Sequence, residues 1–237
     1  MSKAALITGS AKRVGREMAL HLARHGYDIA LHYNHSKAEA LELQESIEAI
    51  GQQAALFQLD LADTQQIEPW CSTVAEHFPK LELLINNASI FERISFTDSD
   101  LATYQNHMAI NATAPIFLTK AFAQQVDKGH VINLLDTNIT SSHGSHFFYL
   151  LSKKTLTDFT KMAARDLAPN IRINGICPGP VLPSDQQLPG YTAQLEETLP
   201  MAELGNVEDI IHAVDYLIAS PHVTGQLLFT DSGQHLL

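Results

Sequence analysis

Apolar runs of strand length alternate with stretches of helical period along the whole chain. Ala4–Thr8 reads as a first strand, followed by a glycine-bearing turn and a helix to about His25, where Gly26 supplies a left-handed stop. Tyr27–Tyr33 is a second strand. Ser36 and Glu39 stand at capping-box spacing, and Ala40, Leu43, Ile47 and Ile50 form an apolar stripe ending at Gly51. Ala54–Asp60 predicts a third strand and Asp63–His77 a third helix, with Asp63 and Gln66 at its start. Leu81–Asn86 is a fourth strand, and a long helix is expected around Leu101–Gln125. His130–Leu135, Phe148–Leu167, Arg172–Ile176, Val207–Ala219 and Leu227–Thr230 continue the alternation.

Strands apolar on both faces and separated by one helix each imply parallel pairing through right-handed crossovers. The expectation is a single α/β domain over 1–237, a doubly wound (Rossmann) parallel sheet of about seven strands with helices on both faces. Ligands in such folds lie beyond the C-terminal strand ends, with pyrophosphate near the first helix N-terminus. The least regular stretch, Cys177–Pro200, carries five prolines and reads as a substrate loop.

Composition narrows the class. The 237 residues include 15 basic and 26 acidic side chains, a net charge of −11, with 45% hydrophobic and 17% charged residues. That balance excludes a disordered chain and argues against a nucleic-acid or anionic-membrane partner. Cys71 and Cys177 make no disulfide framework, which fits a reducing compartment. The apolar run in MSKAALITGS is too short for a signal peptide, and no run approaches the roughly 20 residues of a membrane span. A cytoplasmic protein is expected. The charge is unevenly spread: residues 1–37 hold six cations and two acids, the remainder nine cations and 24 acids.

The basic segment contains the turn Thr8-Gly9-Ser10-Ala11-Lys12-Arg13-Val14-Gly15-Arg16, which departs from the GxGxxG fingerprint but keeps a glycine at each end. Asn86-Asn87-Ala88-Ser89 follows the fourth strand, Asn111 lies mid-helix, Tyr149 and Lys153 are four apart, and Pro178-Gly179 follows the sixth strand. Tyr33 and Lys37 repeat the tyrosine–lysine spacing at a strand end, so context separates the two pairs. As an ordered set these residues resemble the short-chain dehydrogenase/reductase superfamily over essentially the full length. Within it the chain resembles the pteridine reductases, including bacterial dihydropteridine (dihydromonapterin) reductases. In that branch arginine replaces the middle glycine of the superfamily turn TGxxxGxG, and Arg13 stands at that place.

The resemblance implies a cofactor site built from Gly9, Lys12, Arg13, Val14, Gly15, Asn87, Ala88, Tyr149, Lys153, Pro178 and Gly179, with Asp60 and Leu61 at the adenine. NAD sites usually place an acid about 20 residues past the glycine turn. Here the second strand ends His32-Tyr33-Asn34-His35-Ser36, with no carboxylate before Glu39. Arg13, Asn34, His35 and Ser36 suit a 2′-phosphate instead, so NADPH is expected.

At the reacting end the resemblance makes Tyr149 the proton donor, Lys153 its partner and the ribose ligand, and Asn111 part of a water-linked proton path. A neighbouring ammonium is expected to lower the tyrosine pKa. Asp136 lies thirteen positions before Tyr149, where most superfamily members carry serine. An ionised carboxylate accepts hydrogen bonds but would repel a developing oxyanion, so Asp136 suits reduction of a ring C=N better than a ketone. Phe91 stands where pteridine reductases stack an aromatic ring on the pterin, with Ser89 and Arg13 also at the substrate; the alternatives are a core phenylalanine and a local turn aspartate. Glu17, His21, His25, His143 and His146 form no established ligand pattern, and no metal is expected. Expected activity is NADPH-dependent reduction of a dihydropterin, and by extension oxidised pterin or dihydrofolate, in a homotetramer. The rivals are a broad carbonyl or 3-oxoacyl reductase and a non-catalytic NADPH-binding sensor. Two departures from the family stand out: Asp231-Ser232-Gly233 where many members have Asp-Gly-Gly, and Ser184 displaced from the usual threonine after Pro178-Gly179.

Overall fold

The computed structural model describes residues 3–142, 145–182 and 191–237. Seven parallel strands form one sheet: β1 Lys3–Ile7, β2 Tyr27–Tyr33, β3 Ala54–Gln58, β4 Leu81–Asn86, β5 Gly129–Leu134, β6 Ile171–Pro178 and β7 Leu227–Thr230, in the order β3-β2-β1-β4-β5-β6-β7. The helices are α1 Arg13–Arg24, α2 Lys37–Ile50, α3 Ile67–His77, α4 Leu101–Met108, α5 Ala114–Gln125, α6 Phe147–Asp166, α7 Tyr191–Glu196 and α8 Val207–Ala219.

The strand period of two sorts side chains into two cores. Ala5, Ile7, Ile29 and Leu31 pack with Met18, Leu22, Leu43, Ile47 and Val214 on one sheet face. Ala4, Leu6 and Ala30 pack with Ile67, Val74, Leu118 and Phe122 on the other. With both faces covered, no strand needs a polar side, which is why the runs read as continuously apolar. The chain leaves β1 for β2 on one side and later returns to β4 on the other. α1, after β1, and α5, beyond β4, pack on opposite faces of the sheet, the arrangement that places a ligand crevice beyond these strand ends.

Several boundaries differ from the sequence expectation. The long helix around Leu101–Gln125 is interrupted by a π-turn at Ala109–Thr113, which carries Asn111. β3 stops at Gln58, Thr64–Gln66 is a 3₁₀ turn before α3, and β6 runs on to Pro178. Of the expected substrate loop, 177–178 is still strand and Tyr191–Glu196 is a short helix. Pro183, Ser184 and Pro189 lie outside the described residues, as does His143. Gly26 and Gly51 do close their helices in the left-handed region, at φ +84° and +97°. Among the described residues no helix is long and apolar enough to cross a membrane.

Candidate active site

The crevice is built around the end of β1. The Thr8 hydroxyl accepts from the amides of Asn87 (2.9 Å) and Ala88 (3.0 Å), joining the first and fourth strand ends. Asn87 Nδ2 donates to the carbonyls of Thr8 (2.9 Å) and Gly9 (3.2 Å). A Cβ on Gly15 would lie 2.3 Å from the Gly9 carbonyl and 2.7 Å from Asn87 Nδ2, so only glycine fits there. Arg13 holds φ +53°, a conformation that costs a non-glycine residue about 1–2 kcal/mol. This left-handed geometry explains why the superfamily has glycine at that place.

α1 begins without a side-chain cap and has no acid in its first turn. A helix start of this kind favours an anion, and a dinucleotide pyrophosphate suits it. Lys12 ion-pairs with Glu39 at 2.5 Å, and that contact holds the Glu39 carboxyl below the usual carboxylate range. The expected Ser36–Glu39 capping box is consequently absent: Glu39 is drawn away to Lys12, and Ser36 makes no side-chain cap bond. Asn34, His35 and Ser36 follow β2 beside this pair, with the Asn34 carbonyl accepting from Gln58 Nε2 at 3.2 Å. Asp60 caps the Ala62 amide at 3.0 Å, while the Leu61 side chain is buried in the core.

At the reacting end, Asp136 follows β5 in extended conformation. Its Oδ1 accepts from the amide (2.7 Å) and side-chain Nδ2 (2.9 Å) of Asn138, and Oδ2 accepts from the Tyr149 hydroxyl at 2.6 Å. The turn contact and the Tyr149 contact thus coexist on different oxygens. The expectation of a lowered Tyr149 pKa is overturned. Burial and the adjacent Asp136 carboxylate raise it well above 10, because both oppose a phenolate. The Lys153 ammonium does not offset this. It lies 5.8 Å from the Tyr149 ring centre and donates to the Leu134 carbonyl at 2.7 Å. Burial, partly opposed by Asp136, pushes Lys153 down to about 8.

Asn111 is fully buried, and its carboxamide is committed to neighbouring protein groups. Oδ1 accepts from the Ile90 amide (2.9 Å) and Ser89 hydroxyl (3.1 Å); Nδ2 donates to the Ile90 carbonyl (3.0 Å) and Ser152 (3.2 Å). The side chain therefore pins the loop after β4. Phe91 on that loop is 41% exposed, which removes the core reading. It stacks on His146 (4.2 Å between ring centres, 19°) and meets Tyr149 edge-on (4.7 Å, 90°). Pro178 ends β6, and the Gly179 amide donates to the Thr230 carbonyl at 3.1 Å. Away from the crevice, His21 pairs with Asp215 at 2.8 Å and packs on His25.

A family model described as enoyl-(acyl carrier protein) reductase, one of the short-chain reductase families, matches residues 9–235. The chain is a short-chain dehydrogenase/reductase. Its fold superimposes on a FolM alternative dihydrofolate reductase 1 from Brucella suis in complex with NADP, with TM-score 0.94 and 31% identity, covering 99% of this chain and 96% of that one. An L-rhamnose 1-dehydrogenase (NAD(P)(+)) from Sphingomonas sp. is 28% identical over 99% of this chain and 96% of its own length. A 3-oxoacyl-[acyl-carrier-protein] reductase FabG from Staphylococcus aureus is 28% identical over 100% and 99%.

In this short-chain dehydrogenase/reductase the C-terminus also reaches the reacting end. Asp231 accepts from the Thr137 hydroxyl, from the His235 amide at 2.8 Å and from the Gly233 amide at 3.1 Å. Ser232 adopts φ +55°, so the departure from Asp-Gly-Gly keeps glycine-like geometry. Sequence reasoning missed Thr8, His32 and Asp231 as site-building residues. Of these, His32 carried a usable signal, being a polar ring inside an otherwise apolar strand.

Proposed function

We propose that the chain is an NADPH-dependent pteridine reductase, reducing a dihydropterin to the tetrahydro form, with oxidised pterin and dihydrofolate as related substrates. The observation that carries this reading is the 2.6 Å contact between Tyr149 and the carboxylate of Asp136. NADPH, when bound, supplies the hydride to a ring carbon. Tyr149, kept as a neutral phenol, is the proton donor, and Asp136 orients its hydroxyl and receives an N–H of the heterocycle. Lys153, buried and bonded to the Leu134 carbonyl, would hold the cofactor ribose. Phe91 offers a partly exposed ring on which a flat heterocycle would stack, and the resemblance assigns Ser89 and Arg13 to the same substrate. Gly9, Lys12, Val14, Gly15, Asn87, Ala88, Pro178 and Gly179 would line the cofactor. Asn34, His35, Ser36 and Arg13 receive the 2′-phosphate, and Asp60 and Leu61 the adenine. Asn111 acts by holding the Ser89–Phe91 loop. The likeness to the NADP-bound Brucella reductase supports the same reading.

NADPH oxidation followed separately with dihydrobiopterin, dihydromonapterin, dihydrofolate and a 3-oxoacyl thioester tests this. Turnover of the pterins is expected. Turnover of the thioester alone would assign the site to the carbonyl reductases, the class of the Staphylococcus aureus relative. NADH preferred over NADPH would overturn the cofactor assignment.

We also propose a homotetramer. Leu101 on α4 and Met162 on α6 are 67% and 72% exposed, and Tyr104 packs on Phe148 between these packed helices. Light scattering should return four copies per particle; a monomer would remove the proposal.

A further inference from the structure

We propose that His32 is a positioning residue for the cofactor, its ring acting as the acceptor that holds the glycine turn in binding geometry. The proposal rests on the NADPH reading above. His32 is the penultimate residue of β2 and is 2% exposed. Nδ1 lies 2.9 Å from the Gly9 amide, and Nε2 lies 3.0 Å from the Leu59 carbonyl. An amide only donates and a carbonyl only accepts, so the tautomer is determined: Nδ1 is bare and Nε2 carries the proton. The His32 carbonyl accepts in addition from the Ser10 amide (3.1 Å) and hydroxyl (3.2 Å).

One residue on β2 thus grips the turn after β1 and the chain after β3. Those two segments flank Asn34–Ser36, so His32 sits beneath all three loops assigned to the adenosine half of the cofactor. Trp70 of α3 meets the imidazole edge-on at 5.4 Å, and Asp60 is the charged group acting on it. Burial keeps the ring neutral, so the acceptor is present at ordinary pH.

The need for such an acceptor follows from the turn itself. Gly9 sits at φ +63° with no side chain to restrict it, so the bond to Nδ1 limits rotation of its peptide. Without that bond the turn must be ordered at the moment of binding, which weakens affinity without removing any direct contact to the ligand.

Three variants separate this role from packing. In His32→Asn the side-chain oxygen falls near the Nδ1 position and can still accept from Gly9. His32→Gln reaches instead toward the Nε2 position and Leu59, and His32→Phe fills the space with neither. NADPH dissociation constants and unfolding midpoints without cofactor are measured for each. Gln and Phe should bind NADPH roughly five- to tenfold more weakly, the size of one neutral hydrogen bond, with Asn within about twofold of the parent. The affinity order should not follow the midpoint order, and kcat at saturating NADPH should be unchanged. Affinity that tracks stability, or Asn binding as weakly as Phe, would overturn the proposal. Nitrogen NMR of ¹⁵N-histidine in the unmodified protein gives a readout free of folding defects: a proton on Nε2 and none on Nδ1 supports it, and the reverse tautomer sinks it. No NADPH binding by the unmodified protein would instead remove the cofactor reading beneath it.

Discussion

Tyr149→Phe is expected to lower kcat for pterin reduction by about 10²- to 10⁴-fold, the span that a positioned proton donor supplies, while NADPH affinity stays within about twofold. The phenol is buried and its hydroxyl engages Asp136 at 2.6 Å, so its loss removes the donor and leaves the ring packing intact. Asp136→Ser is the more selective companion. Serine is too short to take over both the Tyr149 and Asn138 contacts, and it replaces an acceptor with a donor suited to a carbonyl oxygen. Pterin turnover should fall about 100-fold or more, well beyond any change in NADPH affinity. Steady-state kinetics with one pterin and one ketone, alongside NADPH titration, check both variants. Pterin kcat preserved in Asp136→Ser would sink the proposed role of the carboxylate.

Acid should destabilise the fold well above the pH at which its carboxylates titrate. Burial lowers His32 to about 4, and burial together with the Arg172 guanidinium 3.0 Å from Nδ1 lowers His130 to about 3. Both rings regain a pKa near 6.5 when the chain unfolds, so below that pH the unfolded state binds the extra protons. Stability is therefore complete above about pH 6.5 and is lost as pH falls toward 4 for His32 and 3 for His130. Between pH 7 and 5 each ring costs about 2 kcal/mol, together a large fraction of a typical stability of about 5–15 kcal/mol. Urea unfolding at the two pH values measures the loss. His130→Gln should recover about half of it, and an unchanged urea midpoint between pH 7 and 5 would contradict the account.

The strand runs and their helices were legible because covering both sheet faces leaves a strong apolar pattern in each strand. The π-turn at Asn111 was not, since Ala109–Thr113 has helical composition throughout and the irregularity arises from tertiary contacts to Ile90 and Ser152. Ser36 and Glu39 had the right spacing for a capping box, but spacing does not reveal that Lys12, on another element, competes for the carboxylate. That Asp136 and Tyr149 share one end of the sheet was implied by the family resemblance. The direction of the Tyr149 shift was not, because it depends on which charge approaches the hydroxyl, and the structure brings Asp136 nearer than Lys153. Thr8, His32 and Asp231 act through bonds to backbone amides, which leave little mark on residue spacing.

The π-turn has a bearing on how this chain tolerates insertions and deletions. Such a turn is in effect one residue spliced into an α-helix. Deleting a residue there would restore a regular helix, with every α5 residue still facing roughly its old neighbours. Asn111 would then swing by about 100° per residue of register, away from Ile90, and the loop bearing Phe91 would lose its anchor. In this helix, the irregular version is the one that keeps the loop in place.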